Sequence, residues 1–259
     1  MLTERFAALR TAGRRALVCY VTAGHPDRPR SLALLRGLAD AGADVIELGV
    51  PFSDPVADGP VIQASSQRAL EQGMTLDGAL DLVAEAQLAI PVVLFSYLNP
   101  VIAAGPRVLE RAKAAGVHGV LITDLPVGAD PAREAWFGGG PLDFVRLVAP
   151  TTPRERMALI ARHGRGFVYL ISRLGVTGVS ESLSGSLPAT IAQLRSVCTL
   201  PICVGFGIST ADQARTVGAL ADGVVVGSAI VQAAGRTVGE ALVLARTLRD
   251  ALDTVEVGA

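Results

Sequence analysis

Glu47 lies inside the apolar run Val45-Ile46-Glu47-Leu48-Gly49-Val50. A carboxylate in such a strand is costly unless it is hydrogen-bonded or has acid–base work to do. Burial would lift its pKa towards neutrality, where proton transfer is efficient. Asp58 follows in the stretch Pro51-Phe52-Ser53-Asp54-Pro55-Val56-Ala57-Asp58-Gly59-Pro60, whose three prolines and glycine predict a defined loop. Loop aspartates commonly cap or turn the chain. A structural role therefore stays open for Asp58, as does a satisfied structural carboxylate for Glu47.

Two glycine sites lie near the C-terminus: Gly205-Phe206-Gly207-Ile208-Ser209 and Gly227-Ser228-Ala229-Ile230. Glycine lets the backbone approach a ligand closely. Amides at a short helix N-terminus then hold an anion. The pair predicts a phosphorylated small molecule, against a reading as tight turns alone. A third feature is Ser172-Arg173-Leu174-Gly175-Val176-Thr177-Gly178, which opens a long polar run suited to a lid. Few apolar anchors between Leu174 and Gly185 predict partial disorder there without ligand.

Other chemistries find little support. His25, His118 and His163 are scattered, and no converging metal site is expected. Cys19, Cys198 and Cys203 lack metal or redox spacing and read as small buried residues of a reduced, cytoplasmic protein. Lys113 is the sole lysine and falls on a helix surface, so a Schiff base has no placed nucleophile. No GxSxG nucleophile elbow occurs.

The elements that must carry these residues alternate. Predicted strands are Ala16–Thr22, Val45–Gly49, Val92–Tyr97, Gly119–Ile122, Phe144–Val148, Phe167–Ile171, Ile202–Gly205 and Gly223–Val226. They show little polar alternation, as parallel strands covered on both faces do. Helical patterns separate them: Arg30–Ala41, Leu76–Ala89, Arg107–Ala115, Pro131–Phe137, Arg154–Arg162, Leu187–Val197, Thr210–Ala219 and Thr237–Leu252. This succession predicts an α/β fold, a single (β/α)8 TIM barrel with short extra helices, spanning 1–259 as one domain. A doubly wound open sheet is the alternative. Polar and glycine residues cluster at the strand ends, the barrel mouth where active sites form.

Composition agrees. The 259 residues are 50% hydrophobic and 18% charged, enough for a large core. A net charge of −1 gives no electrostatic support for nucleic acid. Mean hydropathy is +0.45, yet no apolar run approaches a bilayer span of ~20 residues. Glu4 among arginines does not resemble a secretory signal.

The motif ELGVPFSDPVADGPVIQ (Glu47–Gln63) resembles the signature of the tryptophan synthase alpha family. YVTAGHPD, YLNPV, ITDLPV, LVAPTTP, FVYLISRLGVTG, GFGIS and VGSAIV follow the family pattern in order, over nearly the whole chain. The resemblance implies retro-aldol cleavage of indole-3-glycerol phosphate to indole and glyceraldehyde 3-phosphate in tryptophan biosynthesis. It implies Glu47 as proton shuttle and Asp58 as partner of the indole N–H. Tyr169 would stand near the glutamate and Thr177 on the closing loop. Gly178, Gly207, Gly227 and Ser228 would bind phosphate, and Tyr20, Tyr97 and Phe206 would line the indole pocket. Asp54, Pro55 and Asn99 would face a β subunit in a heterotetramer. That subunit carries the family's pyridoxal phosphate, so no cofactor or metal is expected here, and neither membrane nor nucleic acid as partner. His25 stands where many members have an acidic residue, and the region at Gly138-Gly139-Gly140 is short and glycine-rich. Three other functions remain open: a free-standing indole-releasing lyase, a non-catalytic allosteric partner of a β subunit, and another phosphosugar barrel enzyme.

Overall fold

Apolar runs of four to seven residues form the strands, and nearly every side chain in them is buried. The computed structural model describes residues 2–171, 186–205 and 207–255. Its strands are β1 (Ala16–Thr22), β2 (Val45–Gly49), β3 (Val92–Ser96), β4 (Gly119–Ile122), β5 (Asp143–Val148), β6 (Val168–Ile171), β7 (Ile202–Gly205) and β8 (Gly223–Val226). Each pairs in parallel with the next, and β8 pairs with β1 to close the barrel. Closure excludes the doubly wound sheet.

The helices are α1 (Leu2–Thr11), α2 (Arg28–Asp40), α3 (Pro60–Glu71), α4 (Leu76–Ala86), α5 (Leu98–Ala103) and α6 (Val108–Ala115). They continue as α7 (Pro131–Gly139), α8 (Arg154–Arg162), α9 (Ser186–Arg195), α10 (Ala211–Gly218), α11 (Ser228–Arg236) and α12 (Val238–Asp253).

Local chemistry sets many boundaries. Asp27 accepts from the Arg30 amide and starts α2 two residues earlier than the periodicity predicts. Thr210 and Gln213 form a capping box for α10. Gln87, at a φ of 50°, ends α4 before Ala89.

Helices α1, α3, α5 and α11 were not among the predicted segments. In α1 the apolar positions are few: Leu2, Phe6 and Leu9. They plug the barrel floor, with the Phe6 ring 5.4 Å from that of Phe167. Helix α3 hides behind the proline-rich Asp58 loop, and its buried face, Ile62-Ser65-Ser66-Ala69, is half serine. Tertiary packing, not local periodicity, holds such helices.

The core has two layers. Val18, Val45, Val93, Leu121, Val145, Phe167, Cys203 and Val225 fill the barrel interior above α1. A larger shell, from Leu17 and Cys19 to Leu252, packs strands against helices. All three cysteines are free and buried, and Lys113 is exposed on α6. At the floor, Asp44 accepts from the Leu17 amide at 2.8 Å, Arg249 Nη1 at 2.9 Å and Arg5 Nη2 at 2.5 Å. That network ties α1 and α12 to the strands. Among the described residues no helix is long and apolar enough to cross a membrane.

Candidate active site

Side chains alternate along a strand, so Glu47 and Gly49 of β2 share the inward face. Register sets Glu47 between Tyr20 of β1 and Val93 of β3. The carboxyl is 1% exposed, and its Oε1 has no hydrogen-bond partner among the described residues. Burial alone pushes its pKa up to about 8. An unpaired carboxyl in such a place can release and regain a proton near neutral pH.

Asp58 stands across the mouth, just before the Gly59 cap of α3. Its amide donates to the Pro55 carbonyl at 3.0 Å, and its own carbonyl accepts from Gln63 Nε2 at 2.7 Å. Half-burial raises its pKa, while the neighbouring Tyr97 hydroxyl opposes the rise. The Tyr97 hydroxyl accepts from the Ala57 amide at 2.9 Å, pinning the loop. The Asp124 carboxylate in turn accepts from the Leu98 amide at 2.7 Å and caps α5, the helix that begins after Tyr97.

Both carboxyls open on one cavity of about 390 Å³. Phe95, Ile62, Leu147 and Ile171 supply its apolar wall, with Tyr20 and Tyr169. Gly207 to Ser209 after β7 and Gly227 to Ala229 after β8 line the cavity as well. Gly207 has a φ of 82°, a conformation that glycine adopts without strain. Gly227 caps α11, whose first amides have no intrahelical acceptor and are suited to an anion.

The structure thus brings Glu47, Asp58, Tyr20, Tyr169, Gly207, Gly227 and Ser228 to one cavity. Tyr97 stands beside Asp58, with its hydroxyl on the loop and its ring 5.2 Å from Phe52. Asp54 and Asn99 are exposed near the mouth and Pro55 is half-buried, beside Val56 at 87% exposure. Thr177, Gly178, Phe206 and the Leu174–Gly185 run lie outside the described residues. Among the described residues no three His, Cys, Asp or Glu side chains converge as a metal site.

Sequence reasoning gave Gly205 to a glycine site, but it missed that Gly49 and Gly205 each make room for a tyrosine ring. A Cβ on Gly205 would lie 2.3 Å from the Tyr169 hydroxyl, so the absent side chain makes room for that ring. The available signal was their place: each glycine is the last residue of an inward-facing strand.

A closed parallel barrel with a buried carboxyl and glycine turns around one cavity at its mouth defines the class: a (β/α)8-barrel enzyme. The family model for the tryptophan synthase alpha chain matches residues 6–256. The chain is 50% identical over 232 residues to the tryptophan synthase alpha chain of Desulfatibacillum aliphaticivorans, spanning 88% of this chain and 87% of that one. It is 46% identical over 260 residues to that of Laribacter hongkongensis, spanning 97% and 98%. The solved subunit alpha of tryptophan synthase from Legionella pneumophila superposes with a TM-score of 0.89 at 33% identity, over 98% of both chains. The chain belongs to the tryptophan synthase alpha chain family.

Proposed function

We propose that this chain cleaves indole-3-glycerol phosphate to indole and glyceraldehyde 3-phosphate. One observation carries the reading: Glu47, buried and titrating near 8, shares a cavity with Asp58 and the backbone anion cradle. The amides at Gly207–Ser209 and Gly227–Ala229 hold the phosphate. The indole ring lies against Phe95, Ile62 and Tyr20, with its N–H donating to the Asp58 carboxylate.

Protonated Glu47 delivers its proton to indole C3, and the ring becomes an indolenine cation. The Asp58 carboxylate stabilises that charge. Glu47, now ionised, takes the proton of the hydroxyl on the adjoining glycerol carbon. A carbonyl forms there, the C–C bond breaks, and its electrons return to the ring as neutral indole. Glu47 ends protonated, so the cycle closes without an added acid, base or oxidant. The resemblance adds Thr177 as a loop contact of Asp58, Gly178 as a phosphate contact and Phe206 as a pocket wall.

We assign the mouth face around Asp54, Pro55 and Asn99 to a tryptophan synthase β subunit. Purified chain incubated with indole-3-glycerol phosphate should release indole, and the cognate β subunit should raise turnover. Replacing Asn99 or Pro55 should weaken that rise and leave basal turnover nearly unchanged. No indole under any condition would reject the assignment. High turnover unaffected by a β subunit would instead support a free-standing lyase.

A further inference from the structure

Asp58 precedes α3 directly, so the start of that helix sets where the carboxylate stands. Helix α3 packs on β1 and α11. Its outer half is tied to the chain after β1 by Arg68 Nε and Gln72 Nε2, which donate to the Pro26 carbonyl at 3.0 and 2.8 Å. Near Asp58 the tie is different. Ser65 Oγ and Thr22 Oγ1 lie 2.7 Å apart, and the two residues are 1% and 2% exposed. Among the described residues this is the one side chain–side chain hydrogen bond between α3 and the barrel.

Its direction follows from proton accounting. The Ser65 hydroxyl has one proton and donates it to the Ile62 carbonyl at 2.8 Å, an atom that can only accept. Ser65 Oγ therefore accepts, and Thr22 donates. The bond runs from the mouth end of β1, where Thr22 faces Gly49 in register, to the second turn of α3. Ile62, at the inner end of the chain, is part of the cavity wall.

We propose that Ser65 is a positioning residue for the Asp58 carboxylate, acting through its buried hydrogen bond with Thr22. The inference rests on the catalytic reading of Asp58 above. The bond holds the near part of α3 on β1, while Arg68 and Gln72 hold its far end through Pro26. The helix rises about 1.5 Å per residue from Pro60 to Ser65, so a shift at Ser65 reaches Asp58 against the Tyr97 anchor of its loop. A misplacement of about 1 Å at a reacting group can cost on the order of 100-fold in rate.

The test uses the full chain with Ser65→Ala, Thr22→Val and the pair together. Ser65→Ala leaves the buried Thr22 hydroxyl without its acceptor, so both stability and rate should fall. Removing both hydroxyls takes away the unmet Thr22 donor, but it also takes the Thr22 partner from the buried Tyr20 hydroxyl, so stability should recover in part. The positioning role requires that rate does not recover with it. The expected result is a kcat about tenfold below wild type in Ser65→Ala and in the pair. KM should stay within about twofold, because the phosphate cradle is untouched. Wild-type kcat in Ser65→Ala, or joint recovery of melting temperature and kcat in the pair, overturns the proposal. Absence of indole from the wild type overturns the reading beneath it, a separate and visible failure.

Discussion

The Tyr20 hydroxyl stands directly over Gly49 of the neighbouring strand: a Cβ on Gly49 would lie 2.0 Å from the oxygen and 2.5 Å from the ring carbon that bears it. Tyr169 over Gly205 repeats the arrangement across the barrel. The Gly49→Ala variant should therefore displace the Tyr20 ring into the cavity. We expect a loss of about 1–3 kcal/mol, the usual cost of overpacking, and a fall in turnover. Adding Tyr20→Leu should restore most of the stability, read by urea unfolding. A Gly49→Ala chain as stable as wild type would mean that the ring has another place to go.

Glu47 couples folding to pH. Its ordinary pKa is 4.5 and burial raises it to about 8, so the folded chain holds this proton more tightly than the unfolded one. The stability it contributes is complete below about 4.5, declines as pH rises, and is gone above about 8. A shift of that size corresponds to several kcal/mol, on the order of 4–5. The Glu47→Gln variant lacks the titration. Its stability relative to wild type should rise steadily from about pH 5 and level off above about pH 8. A flat difference curve from urea midpoints would show that Glu47 does not titrate as placed.

The same variant tests the chemistry. Proton transfer by a positioned group contributes typically about 10²–10⁴-fold. Glu47→Gln should lose at least about 100-fold in indole release, with unchanged circular dichroism. Near-normal release would remove Glu47 from the mechanism.

Tyr97 acts on Asp58 from beside it. Its hydroxyl opposes the burial that raises the Asp58 pKa. Tyr97→Phe should push that pKa further up, since burial then acts unopposed. Activity that needs the carboxylate should then be lost at a higher pH on the acid side. The acid limb of kcat/KM against pH should move upward; a shift downward, or none, would deny the contact its role.

Asp44 offers a stability prediction far from the mouth. It is buried, and it pairs with Arg249, which is also buried. Asp44→Ala leaves that guanidinium with one partner fewer and the Leu17 amide with none from this side chain. Breaking a buried pair costs about 3–5 kcal/mol. The urea midpoint should fall accordingly, while turnover of the remaining folded protein should stay close to wild type.

The barrel was legible because its strands are nearly continuous apolar runs, the mark of parallel strands covered on both faces. Glu47 was legible for the same reason, as the one carboxylate within the predicted strands. Helices α1, α3, α5 and α11 were not. Leu2, Phe6 and Leu9 follow the helical period over only two turns, among Thr3, Glu4, Arg5 and Arg10, and the buried face of α3 is half polar. What holds these helices is distant in sequence: the barrel floor for α1, and Thr22 of β1 for α3.

The order of strands, the two glycine sites near the C-terminus and the presence of two candidate carboxylates are properties of this sequence by itself, because they depend on residue types and local spacing. Their relation is not. Glu47 became a group titrating near 8 only when closure of the barrel removed water from around it. Tyr97 became an anchor of the Asp58 loop because its hydroxyl meets the Ala57 amide, 40 residues away in the chain. Gly49 and Gly205 gained meaning from the tyrosine on the strand beside each. Burial, cross-strand register and contact over long separations are set when eight strands close on one another, and no window of the sequence contains them.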